Sequence, residues 1–200
     1  MTVDEFNIPL FQYEIDEWDL KKEALMDIFI NDVEPNMDLG LPDCLVYTDY
    51  ARDNVPGEEQ YVVDVMDILG EEFDKFLTDL GKTPNGSNRS FQLKNPYIEN
   101  LWYQKYIKSH FMAPHNHGAI GFSAICYVKF DPEIHTPTIF HAPFRDIMTG
   151  EDIIYRPKVS EGTMIFFPSV LTHYALPCFT DDPRIVISLN IASEKEVGNY

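Results

Sequence analysis

The sequence predicts a mainly β, α+β fold, with helices first and then an antiparallel jelly roll against which they pack. Three observations carry this. Apolar residues recur at helical spacing within residues 16–32 and 58–80. From Ser90 onward the pattern shortens to β-branched and aromatic segments separated by turns. The charge divides along the same line. Residues 1–84 hold 22 acids and 5 bases, and residues 85–200 hold 11 acids and 10 bases, within a net charge of −18.

In chain order, "NIPLFQYEI" (7–15) reads as a short strand. "DEWDLKKEALMDIFIND" follows, with Trp18, Leu25, Ile28 and Phe29 on one helical face. Residues 34–57 are rich in turn formers and read as loop. Val62, Val65, Ile68, Leu69, Phe73, Phe76 and Leu80 form the stripe of a longer helix from about Glu58 to Leu80, stopped by Gly81. Eight short segments then suggest a sandwich or barrel: "SFQLK", "IENLWYQKYI", "FSAICYVKF", "PTIFHA", "DIIYRPKV", "TMIFFP", "THYALPCF" and "RIVISLNIA". The expected organisation is a single domain over 1–200, with an acidic helical support (1–84) and a jelly-roll core (85–200). Residues 34–57 and 142–160 are expected to shape its entrance.

Bulk properties exclude several classes. No 18-residue apolar run exists, so no membrane span is expected. Clustered Lys and Arg are lacking, which argues against nucleic acid as a partner. Cys44, Cys126 and Cys178 form neither a metal motif nor an even disulfide framework, and a reducing cytoplasm is the expected location.

The chemistry gathers in the β part. His115 and His117 are two residues apart, so an extended backbone aims both rings to one side. They are read as opening a strand that runs through Tyr127. His173, remote in sequence, is a candidate third ligand of a metal. Arg184 opens the apolar strand "RIVISLNIA", where its burial calls for an anionic partner. Period two puts Arg184, Val186, Ser188 and Asn190 on one face of that strand and Ile185, Ile187, Leu189 and Ile191 on the other. If "CFTDDP" forms a turn, the His173 and Arg184 strands pair. Tyr127 faces away from Ala124, Cys126 and Val128. Gln104, Tyr106, His110 and Asn190 are candidate pocket residues. His110, His135 and His141 otherwise read as hydrogen-bonded structural histidines.

In order and spacing, His115-x-His117, Tyr127, "FFPS" at 166–169, His173, Arg184 and Ser188 resemble the iron(II)/2-oxoglutarate-dependent dioxygenases, in their prolyl-4-hydroxylase-like branch. The His-x-His form is closest to a small subgroup seen in bacteria and tailed phages, which makes host cytoplasm the location if the chain is phage-encoded. The resemblance covers about residues 100–192. It implies a double-stranded β-helix with helices packed on one sheet, and Fe(II), 2-oxoglutarate and O2 as metal and co-substrates. By resemblance, His115, His117 and His173 hold the metal, and Arg184, Tyr127 and Ser188 serve the 2-oxoglutarate. The implied reaction is hydroxylation of a small molecule or a peptidyl residue such as proline. The oligomeric state is left open, with a homodimer as one arrangement.

His117 stands where the family carries an aspartate. Either His117 ligates, giving a three-imidazole site, or it lies beside the metal while an acid or water completes the sphere. Asp131 and Glu133 lie at the far end of the strand, so ligation is the expectation. Two other functions fit parts of the pattern. A cupin-type metalloenzyme without 2-oxoglutarate uses Gly162, Pro168 and His173 but leaves Arg184 and Tyr127 without a role. A non-catalytic jelly-roll binding module leaves the metal trio without one.

Overall fold

The computed structural model describes residues 8–32, 44–50, 58–83 and 93–194. Both helices form where the apolar periodicity places them, as α1 (Trp18–Asp32) and α2 (Glu58–Leu80). Val65, Leu69, Phe76 and Leu80 of α2 are buried against the sheet, and Phe76 stacks on Phe166 with ring centroids 4.4 Å apart. None of the described helices is long and apolar enough to cross a membrane.

The strands are β1 (Phe11–Glu14), β2 (Cys44–Leu45), β3 (Tyr47–Thr48), β4 (Tyr97–Tyr106), β5 (Phe111–His115), β6 (Phe122–Lys129), β7 (Ile139–Arg145), β8 (Asp152–Tyr155), β9 (Thr163–Pro168), β10 (His173–Ala175) and β11 (Arg184–Ala192). They form two antiparallel sheets: β1-β9-β6-β11-β4-β3 and β2-β5-β10-β7-β8. The architecture is a β-sandwich with both helices on the outer face of the first sheet. Alternation along the central strands creates two cores. Ala124, Cys126, Val128, Ile185, Ile187, Leu189 and Ile191 face the helices. Ile125, Tyr127, Ile165, Phe167 and Val186 fill the space between the sheets. The second core is where polar residues also enter.

Four expectations need correction. Residues 1–84 are not only a helical support, because β1, β2 and β3 join the sheets. The expected boundary at 84/85 lies outside the described residues, as do 34–43 and 51–57 of the expected loop. Within that loop, residues 44–48 instead form β2 and β3, each paired for two residues. Of "SFQLK", Leu93 and Lys94 are not in a strand. Asn95 follows with a φ of 44°, and Pro96 lacks the donor a ladder needs. The His173 and Arg184 strands do not pair either. β10 already lies between β5 and β7, and β11 between β4 and β6, so neither has a free edge to offer the other.

Candidate functional site

His115 ends β5, and His117 lies in the connection to β6 rather than opening a strand. The backbone there is clamped to Ser169, which follows β9. The His117 N–H donates to Ser169 O (2.9 Å), and the Ser169 N–H donates to Gly121 O (3.0 Å). Gly121 has a φ of +95°, and a Cβ there would stand 2.5 Å from Ile191 O. The loop can approach β11 this closely only with glycine at that position.

His173 comes from the facing strand. It pairs with His115 across β10 and β5, which sets their ring centroids 4.4 Å apart. The His117 ring lies 5.3 Å from His115 and 4.9 Å from His173. One ring nitrogen from each histidine lies within 4.8 Å of the others, and no carboxylate joins this group among the described residues. Asp131 and Glu133 are exposed in the turn after β6. Every Nδ1 is engaged: His115 with Ala113 O (2.8 Å), His173 with Leu171 O (2.9 Å), and His117 with Asn190 Oδ1 (2.7 Å). Nε2 is therefore the free lone pair on each ring.

Burial pushes His173 down to about 3 and His117 to about 4, with mutual proximity of the rings adding to the effect. Both rings are neutral at physiological pH and able to donate to a metal. An ion with bonds of about 2.1 Å holds its ligand atoms about 3–4 Å apart. A small inward turn of the rings satisfies that distance, so the donor set fits one transition-metal ion.

Arg184 opens β11 and is only 3% exposed. Its guanidinium donates to Thr138 Oγ1 (2.9 Å) and lies over the Tyr106 ring (4.8 Å) and the Tyr127 ring (5.8 Å). Its Nε has no hydrogen-bond partner, and no carboxylate is paired with it among the described residues. A buried cation in this state calls for an anion. Tyr127 is fully buried, and its phenol oxygen accepts from the Thr138 N–H (3.0 Å), leaving its own proton to donate. Ser188 donates to Gln104 Oε1 (3.2 Å).

Ser188, Gln104, Tyr106, Thr138 and Arg184 line one cavity with the three histidines. Thus β10 and β11, though unpaired, meet by facing each other across the sandwich. A mouth of about 420 Å³ adjoins this cavity, bounded in part by Cys44, Thr48, Tyr50, Trp102, Met112 and Asn190. A larger hollow of about 550 Å³ beside it touches none of the histidines or Arg184, and geometry favours the smaller cavity as the reacting centre.

Several expectations about individual residues change. His110 lines neither cavity nor mouth; it is buried with its ring 5.0 Å from Tyr47. Asn190 borders the mouth but spends its carbonyl on His117. Residues 142–160 contribute to neither space, whereas 44–50 do. His135 is a structural histidine, accepting from the Asp131 N–H (3.0 Å). Sequence reasoning missed Thr138, Ser123 and Ser169. The available signal was a small polar residue in or beside an otherwise apolar segment, as in "PTIF", "FSAICYVK" and "FFPS".

Residues 100–190 match the family model described as "Putative 2OG-Fe(II) oxygenase". No curated protein sequence matches the chain. Among solved structures, the fold is similar to a viral collagen prolyl hydroxylase from Paramecium Bursaria Chlorella virus-1. That match has 16% identity, a TM-score of 0.56 and coverage of 92% of this chain and 97% of that one. A prolyl-4-hydroxylase from Pseudomonas putida matches with 14% identity, a TM-score of 0.58 and coverage of 94% and 95%. A prolyl hydroxylase from Trichoplax adhaerens, in complex with a hypoxia inducible factor peptide fragment, matches with 11% identity, a TM-score of 0.63 and coverage of 94% and 84%. Residues 100–190 are thus similar in sequence to the 2OG-Fe(II) oxygenases, an oxidoreductase family that uses Fe(II), 2-oxoglutarate and O2, and the solved structures share the fold.

Proposed function

We propose that this chain hydroxylates a peptidyl residue, with proline the first candidate, and that His115, His117 and His173 hold its iron. The single observation that carries the reading is a buried arginine without an anionic partner among the described residues, on the cavity where three imidazoles converge. A guanidinium and a metal held by the imidazoles would put two sites of positive charge on one cavity, which suits a small dicarboxylate that also chelates a metal.

Bound Fe(II) with 2-oxoglutarate supplies the oxidising power, consuming O2 and releasing succinate and CO2. The protein's share is positioning. Arg184 offers its fork to the far carboxylate, and the Tyr127 phenol has a proton to add. Thr138 holds both, accepting from Arg184 on its side chain and donating to Tyr127 from its backbone. The Ser188–Gln104 hydrogen bond keeps the polar groups of the cavity wall engaged. Apolar rings of Phe140 and Phe167 pack against His173 and exclude water from that side.

The strand orders β9-β6-β11-β4 and β5-β10-β7-β8 support a double-stranded β-helix as the fold. Strands from both ends of the chain in one sheet support a single domain over 1–200. The peptidyl substrate is carried over from the prolyl hydroxylases that share the fold, and the mouth's Tyr50 and Trp102 offer aromatic surface to a substrate side chain. The buried thiols of Cys126 and Cys178, neither in a disulfide, support a reducing compartment such as the cytoplasm, the host's for a phage-encoded chain.

The test is succinate production by the iron-loaded protein with 2-oxoglutarate under air. Slow uncoupled turnover without a substrate is the expected result. No succinate at confirmed iron occupancy overturns the oxygenase reading for this chain. Calorimetry separates it from a metalloenzyme that ignores 2-oxoglutarate: the wild type binds the co-substrate and Arg184→Met does not.

A further inference from the structure

A hydrogen-bonded chain runs away from His117 into the first sheet. The His117 Nδ1–H donates to Asn190 Oδ1 at 2.7 Å. Ser123 Oγ–H donates to the same oxygen at 2.9 Å, and so Ser169 must donate to Ser123 Oγ, also at 2.9 Å. Ser123 Oγ lies 3.0 Å from His117 Nδ1 as well, closing a triangle. Ser123 and Ser169 are both buried, and they enter from β6 and from the residue after β9. Asn190 and Ser123, from two different strands, thus meet at one ring nitrogen, and Ser169 supports Ser123 from behind. The same Ser169 clamps the backbone of the His117 loop through its own N–H and carbonyl.

We infer that Asn190, backed by Ser123 and Ser169, is the positioning group that makes His117 a neutral third imidazole donor at this centre. The inference rests on the reading of His117 as a metal ligand and goes beyond it by assigning the residues that create that role. An amide oxygen already accepting from Ser123 accepts a proton from His117 but cannot give one back. It therefore fixes the tautomer with Nε2 bare. Being uncharged, it leaves the imidazole neutral, where a carboxylate in its place would draw the ring toward imidazolate character. The three ligands then supply no negative charge, and the anions at the metal must arrive with the co-substrate. Ser169 bonds both the loop backbone and Ser123, and so links the loop's position to the group that fixes the ring.

One test needs no substitution. A long-range 1H–15N spectrum of the metal-free protein reads the His117 tautomer. Protonation at Nδ1 is expected, and protonation at Nε2 overturns the assignment. The second test titrates Co(II), reading affinity by calorimetry and coordination by the visible d–d bands. Loss of a hydrogen-bond partner of a ligating histidine typically costs about 10–100-fold in metal affinity. Asn190→Ala is expected to weaken Co(II) by that factor and Ser123→Ala by less. Asn190→Asp recovers at least wild-type affinity, because a carboxylate oxygen accepts the same proton. His117→Ala, as the control, loses affinity at least as far and changes the bands. If Asn190→Ala binds like wild type while His117→Ala does not, the positioning role fails and ligation stands. If His117→Ala binds like wild type with unchanged bands, ligation itself fails.

Discussion

Replacing Arg184 with methionine separates a side chain kept for the fold from one kept for a ligand. In the free protein the change removes one charge-assisted hydrogen bond to Thr138, worth ~1.5–3 kcal/mol. It also removes contacts with the Tyr106 and Tyr127 rings, worth ~0.5–2 kcal/mol each. Against these losses, it removes an unneutralised buried cation, whose desolvation costs several kcal/mol. Terms of similar size and opposite sign leave folding stability within about 2 kcal/mol of wild type. Co-substrate binding has no such compensation. Deleting one partner of a buried charge pair costs ~2–5 kcal/mol, which is about 30-fold to a few thousand-fold in Kd. The assay is urea unfolding of the metal-free protein, followed by calorimetry of 2-oxoglutarate on the Mn(II)-loaded one. Near-unchanged unfolding with lost binding is expected. Marked destabilisation with retained binding refutes the reasoning, because the guanidinium would then belong to the core.

Gly121→Ala is expected to destabilise by more than ~1 kcal/mol, since it adds a Cβ in a left-handed conformation against Ile191 O, and to weaken Co(II) binding by shifting His117; thermal melts and metal titration check both. Tyr127→Phe leaves the buried Thr138 N–H without its acceptor, at a cost of ~1–3 kcal/mol, and raises the KM for 2-oxoglutarate while leaving the metal in place. Burial holds His173 near 3 and His117 near 4, below an unfolded value of about 6.5. Between those limits the unfolded chain binds protons that the native one does not. Stability of the metal-free protein is therefore full above about pH 6.5 and falls as the pH drops toward 4. The slope is at most ~1.4 kcal/mol per pH unit for His173 and less for the partly exposed His117; a pH-independent urea midpoint between 4 and 7 contradicts this.

Much of this was legible wherever local pattern decides. The alternation in "RIVISLNIA" gives both faces of β11, and the stripe of α2 gives its buried side, because each is fixed by the period of one element. Which strand lies beside which was not legible at β10. The segment after Ala175 crosses between sheets instead of turning back within one, and nothing in "CFTDDP" distinguishes the two paths. His115 and His117 do converge, but through a glycine-bearing loop clamped by Ser169 rather than through strand alternation. Two-residue strands such as β2 and β3 carry no period at all, so only their partners define them. Ser123, Ser169 and Thr138 escaped for a different reason. A hydroxyl's partner lies in another segment, and sequence spacing is blind to it.

Residues 44–48 touch both sheets within five positions: Cys44 and Leu45 lie along β5, Val46 plugs the interior, and Tyr47 and Thr48 lie along β4. That segment works like a clasp across the open end of the sandwich, and its side chains form one lip of the doorway to the metal. It contributes no metal ligand and no partner to Arg184. Substitutions in the clasp are therefore expected to reshape one side of that doorway, while the three histidines and the Arg184–Thr138 pair behind it stay as they are.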